Sequence, residues 1–221
     1  MKPLSINLVS DLKKMNQQKD DIINFAQQLF LETGFSNVKV DDIAAGMKIS
    51  KKTIYKHFKS KEELLELAFH RFLYDSRDFI FATLQEDSSS VVKLVLILNR
   101  MIRQTARISN AFLADLQNDM PELWKKFEHF RNNMISNVLT EIYSAGIKEG
   151  YVKHFKVPIL LSVFIGGLKE ILNSEFLNSQ GLTFKESLAE FYKFITSSIL
   201  TDKGREEFSN LYFGALYDEK I

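Results

Sequence analysis

Proline is almost missing from this chain. It occurs only as Pro3, Pro121 and Pro158 in 221 residues, alongside nine glycines, and that is too little punctuation for the many tight turns of a β-sandwich or barrel. Pro121 and Pro158 also stand where helices would start, at the position where a missing N–H leaves no bond unmade. The expected architecture is therefore all-α, built of helices joined by short loops. No cysteine is present, which excludes disulfides, thiolate nucleophiles and cysteine-ligated metal sites. The N-terminus lacks the apolar stretch of a signal peptide and no apolar run is long enough to cross a bilayer, so the chain reads as cytoplasmic.

Hydrophobic spacing places the helices. Residues 1–16 are polar and weakly periodic and read as an N-terminal arm. Ile22, Phe25, Ala26, Leu29 and Phe30 then share one face of a first helix that Gly34 stops. A short second helix over about 40–47 would bury Ile43, Ala44 and Met47. Ser50 stands where an N-cap would open a third helix, about 51–58, with Ile54 and Phe58 inward. Ser60, followed by Glu62 and Glu63, opens a long fourth helix towards Leu84. Further helices are expected over about 90–108, 110–118, 121–148, 157–178 and 183–200, with a short last one within 203–221. Gly166 and Gly167 lie inside an apolar helix and read as a site of close helix packing.

The net charge of +1 conceals an uneven distribution. Residues 39–61 hold seven lysines and two aspartates, about +5, which leaves about −4 on the remainder. A short basic face on a mildly acidic body suits contact with a polyanion. The same window contains two short helices joined by a tight turn, the second opened by a serine and studded with lysine, which is the pattern of a helix-turn-helix.

The segment from Ala26 to Lys61 resembles the DNA-binding segment of the tetracycline-repressor (TetR) family of bacterial regulators. The resemblance is carried by the pairs Leu29–Phe30 and Gly34–Phe35, by Asp42-Ile43-Ala44, by Ser50 and the run Thr53-Ile54-Tyr55, by Phe58, and by Ser60-Lys61-Glu62. It implies DNA contacts from Lys39, Ser50, Lys51, Lys52, Thr53, Tyr55, Lys56, His57 and Lys61. Short or basic side chains on the first turn of a helix entering the major groove fit that role, as does a tyrosine hydroxyl placed for a phosphate oxygen. Three departures stand out. Lys48 occupies a turn position where the family usually has glycine, Lys52 one where a small residue is common, and Val38-Lys39-Val40 replaces the usual serine or threonine before the second helix.

The resemblance further implies a domain plan of arm (1–16), helix-turn-helix domain (17–63) and helical ligand-binding and dimerisation domain (64–221). Nineteen phenylalanines, many between residues 69 and 164, favour an apolar or aromatic small-molecule effector in that last domain. Asn99, Arg103, Gln104, His129, Asn133 and Asn137 are polar residues on apolar stretches and are candidates to orient it. The apolar stripes of 157–200, among them Phe164, Leu168, Ile171, Phe191 and Ile195, resemble the family's dimer interface. The four histidines, His57, His70, His129 and His154, lack metal-ligand spacing, no phosphate-binding glycine loop or nucleophile elbow occurs, and neither cofactor nor catalysis is expected. The resulting expectation is a homodimeric transcriptional regulator, a repressor released from a palindromic double-stranded DNA operator by a small molecule. A DNA-binding architectural or division-related protein of the same fold without inducer, and an all-helical enzyme, are the alternatives.

Overall fold

A computed structural model describes residues 6–212; residues 1–5 and 213–221 lie outside the described residues. The chain divides into two compact units, with the boundary between Tyr74 and Asp75. Eleven helices make up the described residues: α1 (Ile6–Thr33), α2 (Val40–Gly46), α3 (Lys51–His57), α4 (Lys61–Leu84), α5 (Ser90–Thr105), α6 (Asn110–Asn118), α7 (Pro121–Glu149), α8 (Val157–Ile171), α9 (Ser174–Gln180), α10 (Phe184–Ile199) and α11 (Asp202–Tyr212). The only strand-like pairing among them is an isolated bridge between Val152 and Leu200.

The N-terminal unit holds α1 to α3 and the first half of α4. Where an arm was expected over residues 1–16, α1 is already helical from Ile6, because no glycine or proline interrupts the chain between Pro3 and Gly34. Gly34 ends α1 with φ 89°, a value open to glycine without steric cost. Ile22, Ala26, Phe30, Ile43, Ile54, Phe58, Leu64 and Ala68 form the buried interior of this unit. The Gln27 amide donates to the Ala68 carbonyl (2.8 Å) and the Arg71 guanidinium pairs with Asp20, fastening α4 to α1.

The C-terminal unit begins within α4 and packs α5 against α7, α10 and α11, and α8 against α7 and α10. One apolar cluster gathers Leu98, Ile102, Leu113, Leu168, Leu172 and Tyr192; a second gathers Tyr143, Val152, Leu160, Ile195 and Ile199. Phe164 and Phe191 touch both, with their rings edge to face at 5.2 Å. Gly167 makes the α8–α10 approach possible, since a Cβ there would stand 2.5 Å from the Phe191 ring. No such constraint applies at Gly166, which faces open space.

One expected helix is broken. Residues 157–178 form two helices, α8 and α9, meeting at 66°. Asn173 caps α9 by accepting from the Phe176 N–H (2.9 Å). Gln117 of α6 braces the break from outside: its amide donates to the Leu172 carbonyl (2.7 Å) and its carbonyl accepts from both the N–H and the hydroxyl of Ser174 (3.0 and 2.7 Å). A side chain distant in sequence thus answers the backbone groups that an interrupted helix leaves over.

Candidate functional site

The geometry of α2, α3 and the turn between them follows from local chemistry. Lys39 takes the N-cap position of α2 in place of a serine or threonine, and Asp42 compensates by accepting from the Lys39 N–H (2.7 Å), the reciprocal half of a capping box. After α2, Lys48 sits at φ 55°, so a lysine adopts the left-handed conformation usually left to glycine, at a cost on the order of 1 kcal/mol. The Ile49 N–H closes the turn on the Ala44 carbonyl (3.0 Å). Ser50 then caps α3, accepting from the Thr53 N–H (3.1 Å), while the two hydroxyls lie 2.9 Å apart.

Two sides of α3 have opposite character. Ile54, with the C-cap residue Phe58, is buried, whereas Lys51, Lys52, Tyr55 and Lys56 are exposed. Tyr55 leaves 47 % of its surface open, a large share for an aromatic residue on a helix next to a core. Lys39 and Ser50 are exposed and Thr53 is half-buried. The Lys51 ammonium pairs with Asp41 of α2 at 3.0 Å, and this hydrogen bond and charge hold it above the ordinary lysine range. Asp41 was absent from the residues singled out in the sequence; the acidic first turn of α2 was visible, its reach to α3 was not.

His57 and Lys61 are differently placed. The His57 ring nitrogen Nε2 lies 3.1 Å from Gln18 Oε1 of α1. The Lys61 ammonium donates to the carbonyls of Phe35 and Val38 (both 2.8 Å) and sits 3.8 Å from the centre of the Phe35 ring. Both residues therefore brace the loop and helices behind the exposed face of α3.

The profile described as bacterial regulatory proteins of the tetR family matches residues 22–68, the span of this arrangement. The chain belongs to the TetR family. Relatives of this TetR-family chain include the fatty acid metabolism regulator protein of Bacillus subtilis, 23 % identical over 76 % of this chain and 89 % of that protein. Another is the transcriptional repressor KstR2 of Mycobacterium tuberculosis, 24 % identical over 63 % of this chain and 72 % of that one. Among solved structures, a TetR-family regulator from Marinobacter aquaeolei superposes with a TM-score of 0.65 at 20 % identity, covering 89 % of this chain and 98 % of that one. The protein is thus a helix-turn-helix transcriptional regulator, of a family whose members bind DNA operators and ligands as dimers and are regulators rather than enzymes. No single helix among the described residues is long and apolar enough to cross a membrane.

In the C-terminal unit of this TetR-family regulator the candidate ligand residues separate. Asn99 is buried, and its Oδ1 has no partner. Arg103, His129, Asn133 and Asn137 are exposed, with Asn133 Nδ2 and His129 Nε2 2.9 Å apart at the surface. The reason is helical phase: two residues along a helix turn the side chain through about 200°, so the inward position on α7 belongs to Arg131. Its side chain is only 10 % exposed, and burial pushes its guanidinium below the ordinary arginine range against the opposing pull of Glu128. Neither composition nor spacing distinguishes Arg131 from an exposed arginine.

The dimer stripes need a similar correction. Leu168 and Ile195 are core residues of the protomer, and Phe164 and Phe191 pack on each other within it. The apolar groups left open are others: Ile159 (61 %) and Val163 (53 %) on α8, and Phe194 (64 %) on α10. Helix α8 is apolar nearly all round, so its inner and outer faces read alike in the sequence.

Proposed function

We propose that this TetR-family regulator is a repressor that binds a palindromic operator as a homodimer and is released from it by an apolar or aromatic small molecule. The observation that carries the proposal is the face of α3: Lys51, Lys52, Tyr55 and Lys56 stand exposed on a helix whose other side is fixed by Ile54 and Phe58. Lys51, Lys52, Thr53 and Tyr55 read or steady the major groove, Lys56 and Lys39 meet phosphates, and Ser50, His57 and Lys61 keep the helix in place. Two such helices engage successive major grooves when they lie about 34–36 Å apart. The exposed Ile159, Val163 and Phe194 supply the apolar surface that joins the protomers around a two-fold axis. A fatty-acid-metabolism regulator among the relatives supports an apolar effector. A 100-fold loss of operator affinity on effector binding corresponds to about 2.7 kcal/mol of coupling, felt equally by the effector when operator is bound.

The test is genome-wide mapping of binding sites, followed by titration of the strongest site with the protein and with the Lys51→Ala, Lys52→Ala, Lys56→Ala triple variant. The expected result is a small set of palindromic sites, a loss of about 100-fold or more in the variant, and a shallower log–log salt dependence, because each lysine is lost from both protomers. Unchanged affinity removes α3 from the interface. Many scattered sites without a shared palindrome replace the repressor with an architectural DNA-binding protein.

A further inference from the structure

Helix α7 is packed at its ends and open along its middle. Its buried residues are Leu123, Ile142, Tyr143 and Gly146, whereas Trp124, Phe127, Phe130, Met134, Ile135 and Val138 between them are all half-exposed. Trp124 and Ile135 pack against the cluster of Leu98, Ile102, Leu168 and Tyr192. Arg131 lies two turns after Trp124 and one turn before Ile135, on the same stripe. Its side chain is therefore held at the apolar cluster, nine-tenths buried, with the guanidinium within electrostatic reach of the Tyr192 phenol.

The partners of that guanidinium do not satisfy it. Nε and Nη2 donate to Asn132 Oδ1 at 3.3 and 3.2 Å, Nη2 lies 3.7 Å from Glu128 Oε1, and the Phe127 ring is 5.3 Å away. Nη1 is buried and has no partner at all. A buried charged group with one donor group unbonded is unfavourable, and apolar residues of similar volume generally pack better in such places.

We propose that Arg131 anchors the carboxylate of a monoanionic amphipathic ligand whose apolar part lies along the half-exposed side chains of α7. This rests on the reading of the C-terminal unit as the effector-binding part of a repressor. One free Nη1 group can complete a hydrogen-bonded pair with a carboxylate. A phosphate monoester carries up to two charges and more acceptors, and a single guanidinium already shared with Glu128 does not balance it.

The test uses the full-length protein and its only tryptophan. Trp124 lies 5.3 Å from the Phe127 ring, so its emission reports occupancy of this stripe. Decanoate, decanol and decyl phosphate are titrated in parallel. Decanoate is expected to give a saturable change, with decanol and decyl phosphate each weaker by about tenfold or more. Arg131→Gln is expected to erase the preference for decanoate over decanol, and Arg131→Lys to keep part of it. Because the readout is a ratio of two affinities, a mild loss of stability in a variant does not mimic it. Should Arg131→Gln fail to fold, the Arg131→Lys ratio and the wild-type series decide. Equal binding of decanol and decanoate, tighter binding of decyl phosphate, no decanoate binding up to about 1 mM, or a preference intact in Arg131→Gln overturns the proposal. Operator release is measured separately. Decanoate bound at Trp124 with unchanged operator affinity keeps the anchor and discards the induced-repressor reading, and operator release by uncharged ligands alone does the reverse.

Discussion

The two units of this protein treat their polar groups differently. In the N-terminal unit the exposed ends of short helices are answered nearby, Ser50 by Thr53 and Lys39 by Asp42, and Lys61 spans to the carbonyls of Phe35 and Val38. In the C-terminal unit buried polar atoms go unanswered, among them Asn99 Oδ1, Arg131 Nη1 and Ser187 Oγ, and among the described residues the N-terminal unit has none of this kind. A satisfied local network fixes one geometry, as a helix presented to a groove requires. An unsatisfied interior gives up stability, and the anchor proposed at Arg131 would draw on that unused hydrogen-bonding capacity.

The contrast can be broken or sharpened by substitution, most severely at the open face of α8 and α10. Val163→Glu with Phe194→Glu places charge on the exposed apolar surface of both helices. Sedimentation is expected to show monomers, with operator affinity down by about 100-fold or more, because a single head engages only one half-site. A dimer unaffected by the pair moves the interface elsewhere. Next in size is Gly167→Val, which drives a side chain into the Phe191 ring. Urea unfolding followed by Trp124 is expected to show a loss of about 2–3 kcal/mol in the C-terminal unit.

Gln117→Ala strips the brace from the break between α8 and α9 and should cost about 1–3 kcal/mol by the same measurement. A cost near zero would mean that Asn173 alone holds the break. The smallest effect has the opposite sign. Lys48→Gly relieves the left-handed lysine and is expected to stabilise the N-terminal unit by about 1 kcal/mol, less the entropy that glycine adds to the unfolded chain. Calorimetry showing destabilisation would mean that Lys48 holds its turn through its side chain, and the head would then be less locally determined than its caps suggest.

The same contrast explains what could be read from the sequence. Residues 39–61 were legible because caps, a turn and an i, i+4 apolar pair are short-range devices, and α2 and α3 fall where those devices put them. The mixed roles inside that window were not legible: Lys51 and Lys61 are both lysines in a basic run, yet one is exposed beside Asp41 and the other is spent on two carbonyls. In the C-terminal unit, helix positions followed from periodicity, but the break at Leu172 depends on Gln117 from another helix. The inward arginine of α7 depends on helical phase relative to neighbours, which a stripe of half-apolar residues leaves open. Exposure of Ile159 and Val163 was hidden by α8, a helix apolar nearly all round.

The elbow between α8 and α9 also bears on how the chain survives its own synthesis. Helix α8, Val157–Ile171, is apolar nearly all round, and a nascent segment of that kind is open to association with another unfinished chain. The side chain that braces the bend is synthesised first, since Gln117 leaves the ribosome before Leu172 and Ser174 do. The order of the helices along the chain thus puts the side chain that braces the elbow ahead of the apolar segment it holds in the folded body.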